Sequence, residues 1–100
     1  MIAVKTVVRT DTFAGWLKSL RDRAAAARIA IRIDRLALGN PGQHRNLTSG
    51  VREIKIDFGP GYRVYFTERA GEIVVLLCGG DKKSQDADIA AAIRMVSELE

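Results

Sequence analysis

The chain is poor in the residues that most metal and covalent chemistry needs: it has one cysteine and one histidine in 100 residues. A single cysteine excludes an intramolecular disulfide, and one residue of each type leaves a zinc ion without a donor set. The lone histidine has no partner that spacing would identify, so no nucleophilic triad is indicated. Cys78 lies in the apolar run IVVLLC and reads as a buried strand cysteine rather than a nucleophile. Long apolar runs are also missing, and none approaches the ~20 residues that cross a bilayer. MIAVKTVVRT lacks the apolar length and cleavage pattern of a secretory leader. The expectation is a soluble, cytoplasmic protein with no membrane association. Repeats, linkers and low-complexity stretches are absent, which makes residues 1–100 one domain.

Two apparent motifs fail on inspection. GGDKKS has a Lys-Ser pair but not the glycine that a phosphate-binding loop places four residues before Gly-Lys. Asp81, Asp86 and Asp88 do not reproduce the alternating oxygen ligands and central glycine of a calcium loop. No metal or other cofactor is expected.

What is present is a basic chain able to build a core. It is 47% hydrophobic with a net charge of +4. The charge is unevenly spread: residues 1–50 hold nine Lys and Arg against three Asp and Glu, and residues 51–100 hold seven against nine. A basic half suits nucleic acid or an acidic partner as well as it suits an ordinary solvated surface. Ile2 to Val8 reads as a strand with Ile2, Val4, Thr6 and Val8 on one face. Thr10, Asp11 or Thr12 can cap a helix whose stripe is Phe13, Trp16, Leu17 and Leu20. Asp22 can cap a second, with Ala26, Ile29, Ala30, Ile33 and Leu36 or Ala37 inward, ended by Gly39-Asn40-Pro41-Gly42. Arg28, Arg32 and Arg35 recur on another face of that helix, either solvated or an electrostatic handle for RNA or an acidic partner. A loop from Gly39 to Gly50 carries His44, Arg45 and Asn46.

The most informative stretch is VREIKIDFGPGYRVYFTERAGEIVVLLCGGDKK, residues 51 to 83. Alternation sends Arg52, Ile54, Ile56 and Phe58 to one side of a strand, and Val51, Glu53, Lys55 and Asp57 to the other. Tyr62, Val64 and Phe66 likewise oppose Arg63, Tyr65 and Thr67. Gly59-Pro60-Gly61 joins the two as an antiparallel hairpin, so Lys55 and Arg63 can share one sheet face close to a tyrosine. Two cations on a rigid surface suit a phosphate-bearing ligand better than packing. Ile73 to Cys78 is a central strand, and a last helix begins near Ser84 to Asp86 with Ile89, Ile93 and Val96 buried. The order β-α-α-β-β-β-α, with an antiparallel meander and helices gathered on one side, makes an α+β layer fold.

GVREIKIDFGPGYRVYF followed by IVVLLCGGDKKSQDADIAAAI resembles the RelE/ParE superfamily of bacterial toxins, in particular the phage-related HigB-like killer proteins of type II toxin–antitoxin modules. The similarity covers essentially the whole chain, with GPGYRVYF and LLCGGDKKSQDADI its most specific parts. It implies a small RelE-like fold and a metal-independent endoribonuclease that cuts messenger RNA on the ribosome and stops translation. It implies also a cognate helix-turn-helix antitoxin, with operator DNA bound only through the toxin–antitoxin complex. In ribonuclease members basic strand residues surround the scissile phosphate, which maps onto Lys55 and Arg63, with Lys82 or Lys83 after the last strand. Two positions depart from the pattern. Glu53 stands where several members have a second basic residue, and Asp86, Asp88 and Ile89 stand where many have a tyrosine or histidine.

Metal-free cleavage uses the RNA 2′-hydroxyl as nucleophile, and the pentacovalent transition state gathers negative charge that fixed cations stabilise. Arg63 offers a planar fork and Lys55 a point charge. Glu53 is the candidate proton acceptor, with Asp86, Asp88 and His44 as others. Tyr65 is a candidate platform for a base, and His44, Arg45, Lys82 and Lys83 are candidate RNA contacts. Arg28, Arg32 and Arg35 are assigned to the antitoxin, with the strand face of Lys55 and Arg63 as the alternative docking surface. A ParE-like gyrase inhibitor without nuclease activity, and a non-catalytic co-repressor, are the alternatives.

Overall fold

The structure is a computed structural model and describes residues 4–99. Three helices enclose a five-stranded mixed sheet of order β1-β5-β4-β3-β2. The strands are β1 Thr6–Arg9, β2 His44–Asn46, β3 Arg52–Ile56, β4 Tyr62–Arg69 and β5 Ile73–Gly80, and the helices α1 Asp11–Ser19, α2 Arg23–Ala37 and α3 Gln85–Leu99. β1 runs parallel to β5, and β5, β4, β3 and β2 are antiparallel neighbours. The α+β class and the meander agree with the sequence reading. One strand was hidden in it: β2 lies inside the stretch read as a loop, where three polar residues carry no alternating apolar signal.

The helix caps fall where short polar side chains predicted them. Thr10 Oγ1 accepts from Phe13 N at 3.1 Å and also lies 2.9 and 2.8 Å from the carbonyls of Leu76 and Leu77, pinning the start of α1 to β5. Asp22 Oδ1 accepts from Ala24 N and Ala25 N at 3.0 and 3.1 Å, satisfying two donors at the start of α2. The buried stripe of α2 is Ala25, Ile29, Ile33 and Leu36.

Period-two alternation in β4 and β5 splits the apolar residues between two faces, and both are covered. Val64, Phe66, Val74 and Leu76 pack with Phe13 of α1 and with Ile29, Ile33 and Leu36 of α2. Tyr65, Val75, Leu77 and Cys78 pack on the other face with Ala92 and Val96 of α3. The helices therefore do not gather on one side, because a strand apolar at every position needs cover on both. Ile2 lies outside the described residues, and in β1 the inward residue is Val7, while Val4 and Val8 are exposed. Between Tyr65 and Phe66 the β4–β5 register slips, leaving Leu77 as the extra residue of a bulge.

The end of β5 is shaped by absent side chains. A Cβ on Gly79 would run into the Trp16 ring, and one on Gly80 into Asp88 and Ser84. The two glycines let α1 close on one face of the strand and the start of α3 close on the other.

Candidate functional site

β3 and β4 set Lys55 directly opposite Arg63, and β2 and β3 set Arg45 opposite Glu53. Cross-strand partners share a sheet face, so all four side chains lie on the face that carries α3. The helix covers the part of that face over Val51, Tyr65, Val75, Leu77 and Cys78. Beside it a cleft of about 360 Å³ remains, lined by Gln43, His44, Arg45, Glu53, Lys55, Arg63 and Gln85. Three cations there face one carboxylate.

Glu53 organises the cleft floor. It is 3% exposed, and its Oε1 accepts from Arg45 Nε at 2.7 Å and its Oε2 from Gln85 Nε2 at 3.0 Å. Arg63 Nε lies 3.8 Å from Oε2, an ion pair without a hydrogen bond, while Arg63 Nη1 donates to Gly61 O at 3.0 Å. Burial works to raise the Glu53 carboxyl, but hydrogen bonds from Arg45 and Gln85 and the Arg45 charge outweigh it and hold the group below its ordinary value. Glu53 is thus an ionised anchor with both oxygens engaged, a poor geometry for accepting a substrate proton. Lys55 Nζ, half-exposed in the cleft, has no hydrogen bond or ion-pair partner among the described residues.

The structure brings together Lys55, Arg63, Glu53 and Arg45 and leaves the other sequence candidates aside. His44 lines the cleft, but its pairing with Ile54 directs the ring to the opposite sheet face. There Nδ1 lies 2.8 Å from Gly42 O and Nε2 3.1 Å from Arg52 Nη2. Arg52 can only donate, so Nε2 accepts and the proton sits on Nδ1. Tyr65, expected as a base platform, is wholly buried beneath α3 and presents no ring face to a ligand. Among the described residues its hydroxyl has no hydrogen-bond partner, and burial, then the Glu53 charge, pushes the phenol far above its ordinary range. Lys82 and Lys83 are exposed outside the cleft, Lys82 beside the Gly61 turn. Asp88 is held by Ser84, whose Oγ donates to Asp88 Oδ2 at 2.5 Å, and Asp86 is exposed. Cys78 is buried as expected; burial first and the Asp88 charge second push its thiol up to about 12.

Arg32 is engaged within the fold. Its guanidinium donates to Lys55 O at 2.8 Å, Pro41 O at 3.1 Å and Gln43 O at 3.0 Å, so it fastens α2 to the loop and strand around the cleft. Charge spacing alone grouped it with Arg28 and Arg35, which remain exposed. Sequence reasoning missed Gln43 and Gln85. Gln85 carried a usable signal, as the first residue of α3 just after the β5 glycines. Gln43 carried none, because its position depends on the unrecognised β2.

Among the described residues no group of three or more His, Cys, Asp or Glu is placed to hold a metal ion, and no helix is long and apolar enough to cross a membrane.

The layered arrangement is that of a small α+β protein of RelE-like fold. Residues 15–96 match the family described as "Phage derived protein Gp49-like (DUF891)", and the chain belongs to that family, one of the RelE/HigB-like toxin kind. An uncharacterized protein of Haemophilus influenzae is 46% identical over 98 residues, covering 98% of this chain and 96% of the relative.

Proposed function

We propose that this protein is the toxin of a type II toxin–antitoxin module and that it cuts messenger RNA on the ribosome without a metal. One observation carries the reading: Lys55 and Arg63 are cross-strand partners in one cleft, the first with an ammonium free among the described residues and the second braced by Gly61 and Glu53. A phosphodiester fits between them. The 2′-hydroxyl attacks the adjacent phosphorus, the bond to the 5′-oxygen breaks, and a 2′,3′-cyclic phosphate and a 5′-hydroxyl result. The nucleophile's proton leaves to water and the departing oxygen takes one back. The protein's share is electrostatic, with preorganised cations that meet more charge in the transition state than in the ground state. Glu53 acts by holding Arg45 and Arg63 in place. A cognate helix-turn-helix antitoxin restrains the activity and carries the pair to operator DNA.

A second reading, gyrase inhibition without nuclease activity, draws on one feature of the cleft: neither Glu53 nor the ring of His44 is a free base. Induced expression separates the two. Cleavage predicts that protein synthesis stops first, with transcripts cut at ribosome-occupied sites. Early double-strand breaks in DNA with intact transcripts would transfer the assignment to gyrase.

A further inference from the structure

A second cleft, of about 350 Å³, adjoins the first. Arg28 and Arg35 of α2 line it together with Phe58 from the β3–β4 turn, and Gln43 lines both clefts. Gln43 is therefore the ridge between them, and the ridge is fixed. Lys55 N donates to Gln43 O at 3.1 Å, and Arg32 ties Gln43 O and Lys55 O to α2. The backbone that carries the free Lys55 ammonium and the helix that carries Arg28 and Arg35 are thus parts of one rigid corner. Arg28 is held over the Phe58 ring, its Cζ 4.4 Å from the centroid.

Resting on the function proposed above, we propose that the second cleft is a subsite for the same RNA strand. Nucleotides flanking the one held by Lys55 and Arg63 cross the Gln43 ridge, their phosphates meeting Arg28 and Arg35 and a base lying against the Arg28–Phe58 pair. A basic groove that tracks a backbone, with an aromatic or guanidinium surface for stacking, is how single strands are held without sequence readout. The lining has three arginines against one carboxylate, Asp57. A protein partner is the weaker fit, because the exposed large apolar residue of this lining is Ile31 alone, too little for an interface core.

The test measures binding of two uncleavable oligonucleotides, a trinucleotide and a nonanucleotide with 2′-deoxy sugars at the scissile position, by fluorescence anisotropy across salt concentrations. For the unmodified protein the nonanucleotide should bind tighter, with a salt slope steeper by about 1.4, near 0.7 for each of two added phosphate contacts. Arg28→Gln/Arg35→Gln should bind the trinucleotide normally and lose both the length gain, about tenfold, and the extra slope. Arg21→Gln/Arg23→Gln removes the same charge from exposed positions that line neither cleft, and should keep both. An unchanged length gain in Arg28→Gln/Arg35→Gln, or an equal loss in the control, overturns the subsite. So does a length gain kept while capture of the antitoxin is lost, which assigns the face to protein. Trinucleotide binding without any length gain in the unmodified protein overturns the subsite alone. Binding of neither oligonucleotide also overturns the subsite, while cleavage of ribosome-bound message judges the proposed function separately.

Discussion

Arg45 and Glu53 face each other across β2 and β3 and close an ion pair of 2.7 Å between a largely exposed guanidinium and a buried carboxylate. With Gln85 on the other oxygen, the carboxylate braces three elements at once. Glu53→Ala should cost about 3 kcal/mol, because it leaves Arg63 buried without a counter-charge, read as a lower urea midpoint. Glu53→Gln keeps an acceptor for Arg45, so it should fold and retain a substantial share of cleavage. A Glu53→Gln protein that is well folded and loses the acidic limb of its pH–rate profile would make Glu53 the base instead.

The same anchor sets a pH dependence. The Glu53 carboxyl is held below its ordinary value, so the folded state binds fewer protons than the unfolded one on the acid side. Its contribution is complete above the unfolded value and is lost as pH falls through the folded one. The stability difference between the native protein and Glu53→Gln should be constant from pH 7 to about 5 and shrink below about 4.5. Urea titrations at each pH measure it.

Gly80 lies against the start of α3, where a Cβ would meet Asp88 and Ser84. Gly80→Ala should destabilise by about 1–3 kcal/mol and shift Gln85 away from Glu53. Gly79→Ala, which meets the Trp16 ring on the opposite face, should destabilise comparably with less effect on the cleft. Comparing residual activity at matched fraction folded distinguishes the two.

Arg32 holds three carbonyls. Arg32→Ala should lower stability by about 2 kcal/mol, since hydrogen bonds from a charged donor exceed neutral ones. Arg35→Ala, on the same helix and exposed, should stay within about 0.5 kcal/mol of the native protein. Thermal melts of the pair check whether the arginine row is one functional unit.

The hairpin was legible because period-two alternation and a Gly-Pro-Gly turn fix register, and register alone brings Lys55 opposite Arg63. Helix starts were legible because Thr10 and Asp22 cap by local chemistry. β2 was not, since a short polar edge strand is defined by its neighbour's backbone. The fate of the polar face was hidden for a related reason. Alternation says that Tyr65 and Arg63 share a side, but only the packing of α3 decides that Tyr65 is sealed while the cations border an open cleft. The bonds of Arg32 to three carbonyls were hidden because helical spacing reports a face and not what crosses it.

Cleavage mapping on a defined messenger RNA, with purified protein and with or without ribosomes, tests the central claim most directly. The native protein should cut only ribosome-bound message and leave 2′,3′-cyclic phosphate ends. Lys55→Ala and Arg63→Ala, each still folded, should lose about a hundredfold in rate, the equivalent of about 3 kcal/mol of transition-state stabilisation. Unchanged cleavage by the folded Lys55→Ala/Arg63→Ala protein, or no cleavage of any message by the native one, would contradict the account.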